Sequence, residues 1–307
     1  PVRQGGGKLW DGVSASGDAT NLQIAHGDVS EVNIDLIPAF KDVIQSLQSP
    51  RHNTINGHPY CVPYMYGPNV LMYNTDVVTP APTSWQPTWD ANSPYKGKIT
   101  AYDSPIFIAD AALYLKTHNK SLGINDVYEL TQKQLDAAIA LLKQQAPNIK
   151  KYWSATTDET DPFSSGDVVI GTAWPYQVSF LKTEKKPVAA VVPSEGATGW
   201  ADTWMMSAHA QHPNCMYQWM KWTEKPDIQD QVAEFYGATP SNTKACDILR
   251  KDIGDSADKD YHCGDDAFLK NIALWKTPLQ QCGDSRGNTC TDYTIWQQKW
   301  QEVRGTK

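Results

Sequence analysis

The sequence predicts an α/β protein with room for two lobes, and three observations carry that expectation. Strand-like and helix-like segments alternate along most of the chain, the order expected when helices cover a parallel or mixed sheet. Two strand-like runs, "DVVIGTAW" (167–174) and "PVAAVVP" (187–193), are almost wholly apolar, as strands covered on both faces are. The length of 307 residues is enough for two compact lobes of ordinary domain size.

The elements follow in order. "LWDGVSAS" reads as a strand ending in a small-residue turn, and "DATNLQIAHG" as a short helix closed by Gly27. "VLMYN" (70–74) is a short apolar strand, followed by a Pro-rich connection over 77–89. "GKITAYD" (97–103) is a strand, and 104–118 a helix with Ser104 as N-cap and Pro105 in its first turn. Residues 131–145 give the clearest helix, opened by a Thr131/Gln134 capping box, with Leu135, Ala138, Ile139 and Leu142 on one face. "NCMYQWMKWTE" and "PDIQDQVAEFYG" read as two helices separated at Pro226. From about residue 240 the chain reads as a loop-rich tail.

Composition excludes some classes. An apolar share of 40% with 20% charged residues is a globular balance. The net charge of −7, with no block of Lys or Arg, offers nucleic acid no basic footprint. No apolar run reaches the ~18 residues of a membrane-spanning helix. The opening "PVRQGGGKLW" lacks the basic and apolar segments of a signal peptide. Twelve Trp and fourteen Tyr against six Phe favour a surface where one ring edge meets ligand and the other meets core.

None of the six cysteines sits in a C-x-x-C pair. Cys282 and Cys290 bracket the turn-rich "GDSRGNT", and Cys246 and Cys263 flank a polar, Asp-rich segment. Both pairs are expected to form structural disulfides in an oxidising compartment, the alternative being buried free thiols. There is no nucleophile elbow, P-loop or dinucleotide fingerprint, and His209 and His212 lack a metal-site acid partner. No catalytic residue, metal or cofactor is expected.

One stretch stands out: "EGATGWADTWMM" (195–206) sets an aspartate between two tryptophans. In an extended strand Trp200, Asp202 and Trp204 share one face, because side chains alternate with period 2. Indole faces with a carboxylate suit an organic cation, by cation–π attraction and a charge-assisted hydrogen bond. The plainer alternative makes the tryptophans core and Asp202 a turn residue, and Trp204 is expected in the core. Ligands in open α/β sheets sit at the carboxyl ends of strands. That rule singles out the loop after "LWDGVSAS", the end of "DVVIGTAW" and the region of "GWADTW". Asp103, Glu195 and Asp202 beside tryptophans also suit a secreted carbohydrate-acting hydrolase, which stands as the alternative function.

The motif order goes further. "YCVPYMYGPNVLMYNTDVV", "TSWQPTWD", "YKGKITAYDSP", "SGDVVIGTAWPYQ" and "VVPSEGATGWADTWMMSAHAQHP" follow one another with a spacing that resembles the spermidine/putrescine-type solute-binding proteins of ABC importers. The similarity is closer still to a branch that includes 4-aminobutyrate (GABA) binders. The resemblance implies an α/β, two-lobed periplasmic-binding-protein fold with two interlobe crossovers. Residues 1–75 and 205–307 would form one lobe and 76–204 the other, with crossovers near "MYNTDVV" and "GATGWADTW". It also implies an exported, periplasmic or extracellular monomer that traps a small amine between its lobes and hands it to a membrane ABC permease.

Carried over residue by residue, the resemblance gives Trp200 and Asp202 as the pair that takes a ligand ammonium. Tyr64 follows "VP", Trp174 ends the strand before the second crossover, and Ser16 is a polar turn residue facing the ligand. Asp103 matches one of two acids that hold the far amine of a polyamine. The second acid falls at or near apolar Ile106, which favours a ligand with a single amine, such as GABA. Its carboxylate would need a donor, and Tyr64, Ser16 or Gln177 would serve, since no arginine falls in a matched motif. The family's opening strand, aromatic-bearing loop, helix and second strand have no counterpart, so the first lobe is expected to be truncated at its N-terminus.

Overall fold

The computed structural model describes residues 3–305. It divides into two compact units, Pro1–Gly67 with Gly199–Thr277, and Pro68–Thr198 with Pro278–Lys307. The chain passes from one unit to the other at 67/68, 198/199 and 277/278, one passage more than expected.

The first unit is organised by Ala197–Ser207, whose 11 residues make it the longest strand described. Gly12–Ala15 and Val29–Ser30 run antiparallel to it, and Val62–Pro68 lies on its other side, followed by Thr239–Pro240. Burial alternates along its length. Ala201, Thr203, Met205 and Ser207 are buried, while Trp200, Asp202, Trp204 and Met206 are only half-buried. This is a strand with one face on the core and one left open, the period-2 pattern of a half-covered sheet. Cys246 and Cys263 form a disulfide in this unit.

The second unit is built on a five-stranded mixed sheet. Val188–Val191, Val70–Asn74 and Ile170–Ala173 are neighbours in antiparallel pairs. Ile170–Ala173, Ile99–Tyr102 and Ile149–Trp153 follow in parallel pairs. Met72, Phe163, Val168, Ala173 and Leu181 form part of its core. The helix Gln132–Gln145 opens on its capping box, with Gln134 Oε1 accepting from Thr131 N at 2.8 Å, and buries the expected apolar face.

Four expectations are corrected. The run at 187–193 is an edge strand with half-exposed residues, because among the described residues its one sheet neighbour is Val70–Asn74. The helix expected over 104–118 breaks into a 3-10 turn, Pro105–Phe107, and an α-helix, Ile108–His118, with Ser104 capping only the turn. The boundaries at 75/76 and 204/205 fall inside the second and first units respectively. The tail is partly helical, and from Pro278 it belongs to the second unit. There Asp292 caps the helix Tyr293–Arg304, which buries Trp296, Trp300 and Val303 at helical spacing. The Cys282–Cys290 disulfide sits just before that helix, and Thr291 N donates to Leu130 O at 2.8 Å.

Candidate functional site

On the first unit the site grows from strand register. Gly12–Ala15 pairs with Ala197–Ser207 so that Ser14 faces Trp204 and Ala15 faces Thr203. One step further brings Ser16 opposite Asp202, and the Ser16 hydroxyl donates to Asp202 Oδ1. Ser16 is also the residue at which the chain turns into the helix Gly17–Ala25. The turn needs glycine at 17: a Cβ there would lie 1.7 Å from the Trp275 carbonyl oxygen. Thr277 secures the same corner, its N donating to Gly17 O at 3.0 Å and its hydroxyl to Asp18 O at 2.7 Å.

Aromatic groups flank the carboxylate. Trp204 stacks on Tyr64 with centroids 5.7 Å apart and meets Trp219 edge-on at 5.2 Å. Trp204, expected in the core, is therefore half-buried on the same face as Asp202. The Tyr64 hydroxyl lies 3.1 Å from Ser14 Oγ. On the other side Trp200 lies over Gly67, where a Cβ would come within 2.8 Å of the indole Cζ2. Only the absence of a side chain at 67 allows that approach.

Charge is concentrated here without compensation. Burial pushes the Asp202 carboxyl above its ordinary range, and the Ser16 hydrogen bond only partly pulls it back. Asp18, in the first turn of the helix, is pushed up to about 6, first by burial and then also by the charge of Asp202. Tyr64 is pushed up to about 12 by burial, with Asp202 adding to the shift. Among the described residues no Lys, Arg or His makes an ion pair with Asp18 or Asp202. Two acids and two half-buried indoles are thus gathered around this strand, and among the described residues neither acid has a cationic partner. Sequence reading missed Asp18 and Ser14. The available signal for Asp18 was an acid two residues beyond Ser16, at a helix start.

On the second unit three rings cluster at one sheet edge. Trp153 ends Ile149–Trp153, Tyr102 ends Ile99–Tyr102, and Trp174 follows Ile170–Ala173 directly. These strands are parallel neighbours, so the cluster stands at their carboxyl ends, where open α/β sheets place ligands. Trp153 is fully buried and donates to Thr172 O at 2.9 Å. It holds Trp174 edge-on at 4.9 Å, with Tyr102 at 5.4 Å, leaving Trp174 half-buried. Gln177 Oε1 accepts from Trp174 N at 2.6 Å, and its buried Nε2 has no hydrogen-bond partner among the described residues.

Asp103 is differently placed from Asp202. It accepts from Trp300 Nε1 at 3.1 Å and pairs with Arg304 Nε at 3.1 Å, while the guanidinium also covers the Tyr152 ring at 4.0 Å. Its charge is already answered by an arginine of the same unit. Glu195 is likewise engaged: it accepts from the Ser84 hydroxyl and, at 3.4 Å, from Trp85 N, which holds the turn ahead of Gln86–Trp89. Two of the three carboxylates weighed for sugar cleavage thus have structural partners.

Known proteins resemble this chain in sequence and in fold. Residues 4–259 match the family described as bacterial extracellular solute-binding protein. The spermidine/putrescine-binding periplasmic protein of Escherichia coli K12 is 27% identical over 195 residues, 63% of this chain and 53% of that protein. The chain thus spans about half the length of that curated relative. A spermidine/putrescine ABC transporter substrate-binding protein from Streptococcus pneumoniae has the same fold, with a TM-score of 0.75 at 20% identity. That similarity covers 99% of this chain and 86% of the other. The Atu4243–GABA receptor structure is similar at a TM-score of 0.68 and 19% identity, over 98% and 81% of the two chains. These relatives are binding proteins, and they give the hydrolase alternative no support. With its two units, its mixed sheets and a family match across most of its length, the chain belongs to the bacterial extracellular solute-binding proteins, and its fold is the two-lobed fold of periplasmic binding proteins.

Proposed function

We propose that this chain is the extracytoplasmic binding component of an ABC importer for a small amine, and that the ligand ammonium rests on Asp202. The observation that carries the reading is the uncompensated acid. Asp202 is half-buried on the open face of a strand, flanked by Trp200 and Trp204, and accepts a hydrogen bond from Ser16 without a cation beside it. A carboxylate in that position costs stability in the empty protein, and a bound ammonium returns it. Asp18 adds a second acid near the same charge. Trp200 is proposed as an aromatic wall, and Tyr64 and Ser16 as polar contacts.

The polyamine-type relatives and the GABA receptor support a GABA-like amino acid or a polyamine as the ligand class. Within that class the pairing of Asp103 with Arg304 favours a ligand with one ammonium, because Asp103 is not free to hold a second one. Delivery to a membrane permease, and a periplasmic or extracellular location, follow from the same family reading. The described residues contain no helix long and apolar enough to cross a membrane.

A thermal-shift panel of GABA, putrescine, spermidine and neutral sugars tests the proposal. At a hundred times its Kd, a true ligand adds about 2.7 kcal/mol of stability. One amine is expected to raise the melting temperature while sugars leave it unchanged. Stabilisation by a sugar alone, or by none of these amines at saturating concentration, would count against it.

A further inference from the structure

Away from the Asp202 site, the first unit gathers three carboxylates that have no cation. Asp230 and Glu234 stand one turn apart on the helix Pro226–Tyr236, and Asp252 reaches them from Ala245–Ile253. One carboxylate oxygen from each lies within 4.8 Å of the others. Exposed acids often cluster harmlessly, and Glu234 and Asp252 are exposed. Asp230 is not: it is 3% exposed, and its Oδ1 is buried with no hydrogen-bond partner among the described residues. A buried, unpartnered carboxylate oxygen beside two like charges is a costly arrangement that a ligand would relieve.

The frame around the cluster is fixed before any ion arrives. Ala233 from one helix packs with Cys246 and Leu249 from the other, and the Cys246–Cys263 disulfide ties the second helix down. Arg250, the nearest arginine in sequence, is committed to Asp247 and Asp258. No Lys, Arg or His pairs with Asp230, Glu234 or Asp252 among the described residues.

We propose that Asp230, Glu234 and Asp252 form a binding site for a divalent cation of the calcium type, separate from the amine site. The donor set is all oxygen, which suits a hard cation and not zinc, whose sites draw on nitrogen and sulfur. Calcium binds oxygens at about 2.3–2.6 Å, so two of its ligands can stand up to about 5 Å apart. The observed spread fits within that span. Water would complete the coordination on the solvent side, where Glu234 and Asp252 are exposed. The ion would join two helices of one unit and remove the charge repulsion between them.

The test uses the whole chain, stripped with chelator, at neutral pH. Calcium chloride alone is titrated while the melting temperature is followed, and terbium luminescence sensitised by tryptophan reports occupancy directly. Glu234→Gln and Asp252→Asn are suitable variants, since both positions are exposed and folding is not at stake. The expected result is a saturable calcium-dependent rise in melting temperature, with affinity at least about tenfold weaker in each variant, whatever the outcome of the amine panel. Absence of a saturable shift in the parent chain, or undiminished binding in both variants, would overturn the proposal.

Discussion

The Ser16 hydroxyl donates to the Asp202 carboxylate one register step past the Ala15–Thr203 pair, where Gly12–Ala15 ends and a helix begins. Strand pairing therefore sets the position of the acid, and a turn residue tunes its charge. Removing the hydroxyl leaves the carboxylate in place with less support for its ionised form. Ser16→Ala is expected to weaken amine binding by about 1.5 kcal/mol, roughly tenfold, as a lost hydrogen bond to a charged group does. Calorimetric titration of the variant checks this, and an unchanged affinity would remove Ser16 from the site.

Amine affinity is expected to depend on pH with a definite sign. Both Asp202 and Asp18 have raised folded-state pKa values, Asp18 at about 6. Protonating either removes charge that the ammonium needs, so affinity rises between about pH 5 and about pH 7.5 and then levels off. The empty protein behaves oppositely. Its folded state holds these protons more tightly than the unfolded chain, so their contribution to stability is lost as pH rises through the same range. Titrations at several pH values are expected to show affinity and apo stability moving in opposite directions.

A second buried acid carries a separate signature. Asp110 is pushed up to about 7 by burial, and the Thr198 hydroxyl, which donates to it at 2.9 Å, offsets little of this. Asn69 Nδ2 donates in turn to Thr198 Oγ1 at 2.6 Å. Asn69 and Thr198 lie just inside two of the points where the chain passes between units, 67/68 and 198/199. Asp110→Asn keeps an acceptor for Thr198 and cannot ionise. The variant is expected to flatten the loss of stability between about pH 4 and above about pH 7, and to melt several degrees higher at about pH 8. An unaltered pH slope would mean that Asp110 does not titrate there.

Trp300 fastens the C-terminal helix to the second unit. It is 3% exposed, packs edge-on against Phe107 and Tyr152, and donates to Asp103. Trp300→Ala is expected to cost about 3 kcal/mol or more, the usual range for emptying a buried indole site. Denaturant unfolding measures it, and a loss below about 1 kcal/mol would mean that the tail is only loosely attached.

Thiol counting distinguishes the cysteines. Cys246–Cys263 and Cys282–Cys290 are disulfides, Cys61 is a buried thiol and Cys215 an exposed one. A thiol reagent is expected to titrate one group in the native protein, two in denaturant and six after reduction.

Much of the fold was legible because local pattern and tertiary position agreed. The capping box at Thr131, the apolar run ending at Ala173 and the alternation through Trp200–Asp202–Trp204 each have one cheap structural solution. The C-terminal helix was hidden because Trp296, Trp300 and Val303 are separated by five Gln, Lys and Glu residues and follow a stretch dominated by turns. Asp18 was missed for a different reason: an acid in a first helical turn ordinarily serves the helix dipole, and only the strand register shows that it shares the surroundings of Asp202. Asp103 illustrates the converse. Its motif matches a ligand acid, yet its partner Arg304 lies 201 residues away in sequence, beyond the reach of any local pattern.

The central claim rests on the charge of Asp202, and calorimetric titration of the preferred amine against Asp202→Asn addresses it most directly. The substitution keeps the shape and removes the charge. Affinity is expected to fall by more than ~2 kcal/mol, at least about thirtyfold, while the empty variant melts no lower than the parent above about pH 7 because a half-buried charge has been relieved. Unchanged affinity in a folded variant would make the carboxylate structural and contradict the assignment of the amine site.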